Sequence, residues 1–97
     1  MRRFEWDPAK NAANIRKHRV SFDEAQDVFE DPFAMVSSDD EHSPTEDRQK
    51  ILGSSGRLRV LLVVYVERDQ NVIRLISARR ANRTEQRRYE ENLPPSP

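Results

Sequence analysis

Arg57, Arg59, Arg79, Arg80 and Arg83 are the residues of this chain whose type and spacing point most directly to chemistry. A guanidinium presents a planar fork that grips a phosphate through two hydrogen bonds, whereas a lysine is a point charge. Arg79 and Arg80 end one apolar run, and Arg57 and Arg59 open another. If these runs form a hairpin turning at 68–71, the start of one strand lies beside the end of the other. The four arginines then gather at one end of a sheet, with Arg83 just beyond. Strand alternation sends Arg79 and Arg80 to opposite faces, so only one of them shares a face with Arg57 or Arg59. The Arg79-Arg80 pair has no evident core role. Such a cluster reads as a patch for the phosphates of RNA or DNA. The alternative is a strand end salt-bridged to Glu67, Glu85 and Asp69.

His18 follows Lys17 where a helix is expected to end. An imidazole can serve as general acid or base near neutral pH, or simply place a cation at the helix C-terminus. Lys10 and Lys17 stand seven apart on one helix face and would continue a basic surface. Glu67 ends the longest strand beside Arg68; it can act as a base or hold an arginine in an ion pair. Trp6, near Phe4, can stack on a nucleobase or anchor a small core. His42 sits in an acidic loop and reads as inert. Asp39, Asp40, Glu41 and Glu46 lack the spacing and turn glycine of a calcium loop, so they read as a solvated segment.

Composition bounds what these residues can be part of. Ninety-seven residues make one small domain, assigned to 1–92, with 93–97 as a disordered Pro-rich tail. The 17 Lys+Arg balance 17 Asp+Glu, for a formal net charge of zero. That balance hides a segregation: residues 57–97 carry nine basic and five acidic side chains, and all nine are arginine. Without cysteine there is no disulfide scaffold, thiol nucleophile or cysteine-ligated metal. Two glycines and two histidines exclude a Gly-rich phosphate cradle and a His-only zinc site, so no metal is assigned. No apolar run approaches the ~18 residues of a membrane span, and no apolar segment follows the basic start as in a signal peptide. The expected location is the cytoplasm.

The elements that must position these residues follow from the pattern. Arg2 to Trp6 reads as a short strand. Asp7 then caps a helix over 8–18, with Pro8 at its first position. Ser21-Phe22-Asp23-Glu24 is a capping-box signature opening a second helix over 22–30, which Asp31-Pro32 stops. Phe33 to Val36 is a short strand, residues 37–47 a loop, and 48–52 an edge strand. Residues 53–56 signal a turn. Arg57 to Glu67 is apolar on both faces and should be the central strand. Its antiparallel partner, Val72 to Arg79, would place Ile73, Leu75 and Ser77 on one face and Val72, Arg74, Ile76 and Ala78 on the other. Asn82 and Glu85 cap a last helix over 83–91, with Tyr89 as its apolar anchor. The order is that of an α+β domain, helices on one antiparallel sheet.

Two blocks of this string resemble the family of BrnT toxins. One runs through Phe4-Glu5-Trp6-Asp7-Pro8-x-Lys10, Asn14-x-x-Lys17-His18-x-Val20-Ser21-Phe22-x-Glu24-Ala25 and Val28-Phe29-x-Asp31-Pro32. The other runs through Gly56-Arg57, Val64-Tyr65, Ile73 to Ala81 and Glu85-Gln86-Arg87-Arg88-Tyr89. Together they cover residues 4–91. The resemblance implies a RelE-like α+β fold: an N-terminal strand and two helices packed on an antiparallel sheet of about four strands, with a C-terminal helix. It implies a ribonuclease toxin of a type II toxin–antitoxin system that arrests translation and growth. Its partner would be a BrnA-like ribbon-helix-helix antitoxin, with operator DNA reached only through that complex. It implies cleavage without a metal or cofactor, by attack of the ribose 2′-OH on the adjacent phosphate.

That reaction needs a base, cations for the pentavalent phosphorane and an acid for the leaving 5′-oxygen. The resemblance points to Lys10, His18, Arg79 and Arg80 as site members; the residue types themselves add Glu67 as a further proton carrier and Trp6, Lys17, Arg57, Arg59, Arg83 and Tyr89 on the RNA. Lys17 and Tyr89 remain open as proton carriers too. Where the family has glycine after Lys-His, this chain has Arg19. A toxin of zero net charge would rely on a local patch to attract RNA. The alternative reading is a module that has lost cleavage, binds the antitoxin and serves as corepressor of its own operon. A direct DNA binder is a weaker third, for want of a helix-turn-helix signature.

Overall fold

The computed structural model describes residues 2–39, 47–69 and 71–95. Strand β1 (Arg3–Glu5) leads into α1 (Pro8–His18) and α2 (Phe22–Gln26), and a 3₁₀ turn over Asp27–Glu30 extends α2. Strands β2 (Met35–Ser38), β3 (Arg48–Ser54), β4 (Val60–Arg68) and β5 (Val72–Arg80) follow, and α3 (Arg83–Asn92) closes the chain. The strands form one sheet in the order β1-β5-β4-β3-β2. The 9-residue β4 lies at its centre, as its two apolar faces require.

The sheet departs from the expected antiparallel set of about four. It has five strands and is mixed, because β1 pairs parallel to β5. Three residues carry no pattern that distinguishes a parallel neighbour from an antiparallel one. The edge position expected for β3 falls to β2, and β3 is internal. Gly53 and Ser54 belong to β3, and the turn follows at Ser55 to Arg59, closed by Ser55 N–H on the Arg59 carbonyl at 2.8 Å. Gly53 is where β3 runs under the 3₁₀ turn: a Cβ there would stand 2.9 Å from Val28 Cγ1 and 3.0 Å from Ala34 Cβ.

The core forms between one sheet face and the helical layer. Val20, Phe22, Ala25 and Val28 pack on Ile51, Leu61, Val63, Tyr65, Ile73, Leu75 and Ala78. Edge-to-face aromatic pairs, Phe4 on Phe29 and Phe29 on Tyr65, continue it toward β1. Trp6 is packed against Phe22, with ring centroids 5.9 Å apart. Among the described residues no helix is long and apolar enough to cross a membrane. The acidic segment 40–46, with His42, and the last residues of the expected tail lie outside the described residues.

One irregularity decides which β5 residues face which way. Val64 pairs with Ser77, but the next residue, Tyr65, pairs with Leu75. Ile76 is therefore an extra residue, a β-bulge, and it shifts the alternation by one. Ala78 joins Ile73 and Leu75 on the core face, fully buried, rather than lying opposite them. Ser77 is turned out of the core face onto the open one, and so is Arg79.

Candidate active site

The site is built where the C-terminal end of α1 meets the open face of β5. Helix α1 begins as its sequence directs, with Asp7 Oδ1 accepting the Ala9 N–H at 2.8 Å and Pro8 in the first turn. Its apolar content is thin, and Asn14 is its buried residue. The Asn14 amide holds α1 to the sheet: Nδ2 donates to the Ala78 and Val20 carbonyls, both at 2.8 Å, and Oδ1 accepts the Ala78 N–H at 3.1 Å. Strand β1 pairs only with Val72 to Arg74. Beyond it the outer edge of β5 is open, and the Asn14 amide takes both backbone groups of Ala78 as a neighbouring strand would. One turn later, Lys17 and His18 are fixed beside Ser77. The helix ends at Arg19 with φ 60°, in the left-handed region that favours glycine.

Arg79 meets this end of α1 from the sheet. Its Nη1 and Nη2 donate to Oε1 and Oε2 of Glu85, both at 2.9 Å, in a bidentate pair. Glu85 is also the N3 residue of the α3 capping box: its N–H donates to Asn82 Oδ1 at 2.8 Å, and its Oε1 accepts the Asn82 N–H at 2.9 Å. The hydrogen bond from Arg79 holds the Glu85 carboxyl below the usual glutamate range against the opposing effect of burial, and Lys50 nearby adds to this.

These groups line one groove of about 480 Å³. Leu62 and Val64 of β4 contribute apolar surface, Lys17, His18, Lys50 and Arg79 contribute basic side chains, and Asp39 and Glu85 are its carboxylates. A second recess of about 230 Å³ adjoins it along α1, shares Lys17, His18 and Ser77, and reaches Lys10. Four basic residues against two carboxylates, one of them committed to Arg79, suit a polyanion.

Of the residues singled out by sequence, the structure brings Lys17, His18 and Arg79 together in one groove, with Lys10 in the recess beside it. Arg80 is exposed at the strand end, one alternation step from Arg79, and its carbonyl accepts from Arg79 Nη1 at 3.2 Å. Glu67 lines a different cavity with Arg2, Phe29, Asp31 and Tyr65, core-side neighbours rather than groove ones. Arg59 is clamped by the Glu24 carboxylate, and its Nη2 donates to the Arg19 carbonyl at 3.2 Å. Glu24 therefore does not reach back to close the capping box at Ser21, though Ser21 Oγ accepts the Glu24 N–H at 3.0 Å. Arg57 and Arg83 are exposed at the Ser55 turn and the start of α3. Trp6 sits on Phe22 rather than beside His18. Tyr89 is buried and donates to Asp31 Oδ2 at 2.5 Å; burial, with that hydrogen bond, pushes its phenol up to about 12. The arginine cluster thus has matching carboxylates after all, Glu24 and Glu85, as its salt-bridged alternative requires in part. Arg79 also has a structural role, through Glu85.

Lys50, Ser77, Asn14 and Glu85 belong to the site without having been assigned to it. Lys50 pairs with Val64 across β3 and β4, so its position follows from a register that local sequence does not carry. For Glu85 the signal is present: its capping-box spacing from Asn82 places it at a fixed distance after Arg79.

A sequence model described as the ribonuclease toxin BrnT of a type II toxin–antitoxin system matches residues 6–85. The chain belongs to the BrnT family. The crystal structure of the Brucella abortus ribonuclease toxin BrnT superposes with a TM-score of 0.66 at 22% identity, over 86% of this chain and 100% of that one. At that identity the likeness is one of fold. No curated protein sequence matches the chain.

Proposed function

We propose that this BrnT-family chain is a metal-independent endoribonuclease that cuts single-stranded RNA in the groove between α1 and the open sheet face. The observation that carries this reading is the convergence of Lys17, His18, Lys50 and Arg79 on that one groove. RNA chain cleavage at this site runs through attack of the 2′-oxygen on phosphorus, loss of its proton to a base, and breakage of the P–O5′ bond with protonation of the leaving oxygen. His18 is the groove residue whose type both accepts and donates a proton near neutral pH, and it takes that part. Arg79 does not exchange protons and stabilises the charge on the phosphorane, with Lys17 and Lys50 beside it. Lys10 holds the strand further along α1. Arg57, Arg80 and Arg83, exposed around the sheet end, contribute at most a diffuse field. A BrnA-like ribbon-helix-helix antitoxin neutralises the toxin, and operator DNA is met through that complex alone; the site of action is the cytoplasm.

The test is purified, antitoxin-free protein mixed with a defined single-stranded RNA in EDTA. Fragments ending in 2′,3′-cyclic phosphate and 5′-hydroxyl are expected. Cleavage that disappears in EDTA, or products ending in 3′-hydroxyl and 5′-phosphate, would overturn the mechanism.

A further inference from the structure

The Glu85 carboxylate lies in a groove that binds a polyanion on the reading above, and plain electrostatics makes it unwelcome there. Its geometry supplies a reason for its presence. A guanidinium carries five N–H donors. Arg79 commits one from each Nη to Glu85 and a second from Nη1 to the Arg80 carbonyl. The Nε–H and the remaining Nη2–H share the other edge of the guanidinium plane, and among the described residues they meet no acceptor. That edge is a second bidentate face of the kind that receives phosphate. Glu85 is itself immobilised, since its Oε1 also accepts the Asn82 N–H and its backbone is locked into the first turn of α3.

We propose that Glu85 is a positioning residue: it fixes the plane of Arg79 so that the open Nε/Nη2 edge faces the phosphate in the groove. With both carboxylate oxygens held, Glu85 is not the base of the reaction. The capping box of α3 thereby becomes part of the active site, and a residue in the helix sets the aim of a residue in the strand. This inference rests on the ribonuclease reading, and its test separates the two.

Glu85→Gln is the informative variant, because glutamine still supplies the capping-box acceptor but no longer grips the guanidinium with two charged oxygens. If Glu85 is only a counter-ion, its neutralisation makes the groove more positive, and RNA binding and cleavage rise. If Glu85 positions Arg79, kcat falls at least ~10-fold while KM changes less than ~3-fold, and the loss vanishes when Glu85→Gln is added to Arg79→Ala. Cleavage by Glu85→Gln at or above the wild-type rate overturns the proposal, and so does a loss that persists undiminished in the Arg79→Ala background. Thermal melting of Glu85→Gln beside Glu85→Ala, which lacks the cap, separates misfolding from mispositioning. Should wild-type protein not cleave RNA, the ribonuclease reading fails by itself. Positioning is then read from binding of a fluorescent single-stranded DNA oligonucleotide, weakened at least ~5-fold by Glu85→Gln if it holds and unchanged or strengthened if it does not.

Discussion

Arg19 shows what a single residue costs in this fold. At φ 60° and ψ 32° it occupies the left-handed region, which a side chain with a Cβ enters at about 1 kcal/mol relative to glycine. Its backbone does the work of the position, the N–H reaching the Ile15 carbonyl at 2.9 Å and the carbonyl accepting from Arg59. Arg19→Gly keeps both bonds and relieves the strain. It should stabilise the protein by about 1 kcal/mol and raise the thermal midpoint by roughly 4 °C or more, measured by calorimetry. An unchanged or lower midpoint would mean that the Arg19 side chain contributes something the backbone does not show. At this scale the sequence is a good guide to identity and a poor one to pairing. Lys17, His18 and Arg79 stand out by type, because few side chains bind phosphate or carry protons. The partner of Arg59 does not, since Glu24 lies 35 residues away, whereas Glu85, only 6 from Arg79, is among the carboxylates that the salt-bridged alternative names.

Elements are positioned here by two devices that periodicity does not display. The first is the bulge at Ile76, which carries no glycine or proline to mark it. Counting by twos along β5 from Ile73 therefore buries Ser77 and exposes Ala78, the reverse of what the sheet does. The second is Asn14, a polar residue that docks a helix too poor in apolar groups to dock itself. Boundaries were legible where caps announce them, at Asp7, Ser21 and Asn82, because a cap is a local hydrogen bond. The strand order and the parallel placement of β1 were not, because they are settled by contacts across the whole domain. Asn14→Ala strands the N–H and carbonyl of Ala78 at a buried edge, and each such group costs roughly 1–3 kcal/mol. A loss of about 3 kcal/mol in urea unfolding is expected, together with a fall in any activity that depends on His18 facing Arg79. A loss below about 0.5 kcal/mol would show that α1 is held by something other than this amide.

The molecule as a whole reconciles a zero net charge with an anionic substrate by separating its charges. Lys17, His18, Lys50 and Arg79 line the groove, on the sheet face away from the main core. Asp23, Asp27 and Glu30 are exposed on the helical layer that covers the core face. A strand of RNA approaching the groove meets a local positive field although the distant field is neutral, so association should be steeply salt-dependent only at short range. Among the cavities lined by titratable groups are the groove at His18 and the core-side cavity at Glu67, and the proposed mechanism uses the first. Its central claim is tested most directly by single-turnover RNA cleavage measured in parallel for His18→Ala and Glu67→Ala, each with a wild-type thermal midpoint. The predicted result is a rate at least ~100-fold lower for His18→Ala and within about twofold of wild type for Glu67→Ala. Full activity in His18→Ala, with the loss in Glu67→Ala, would contradict it.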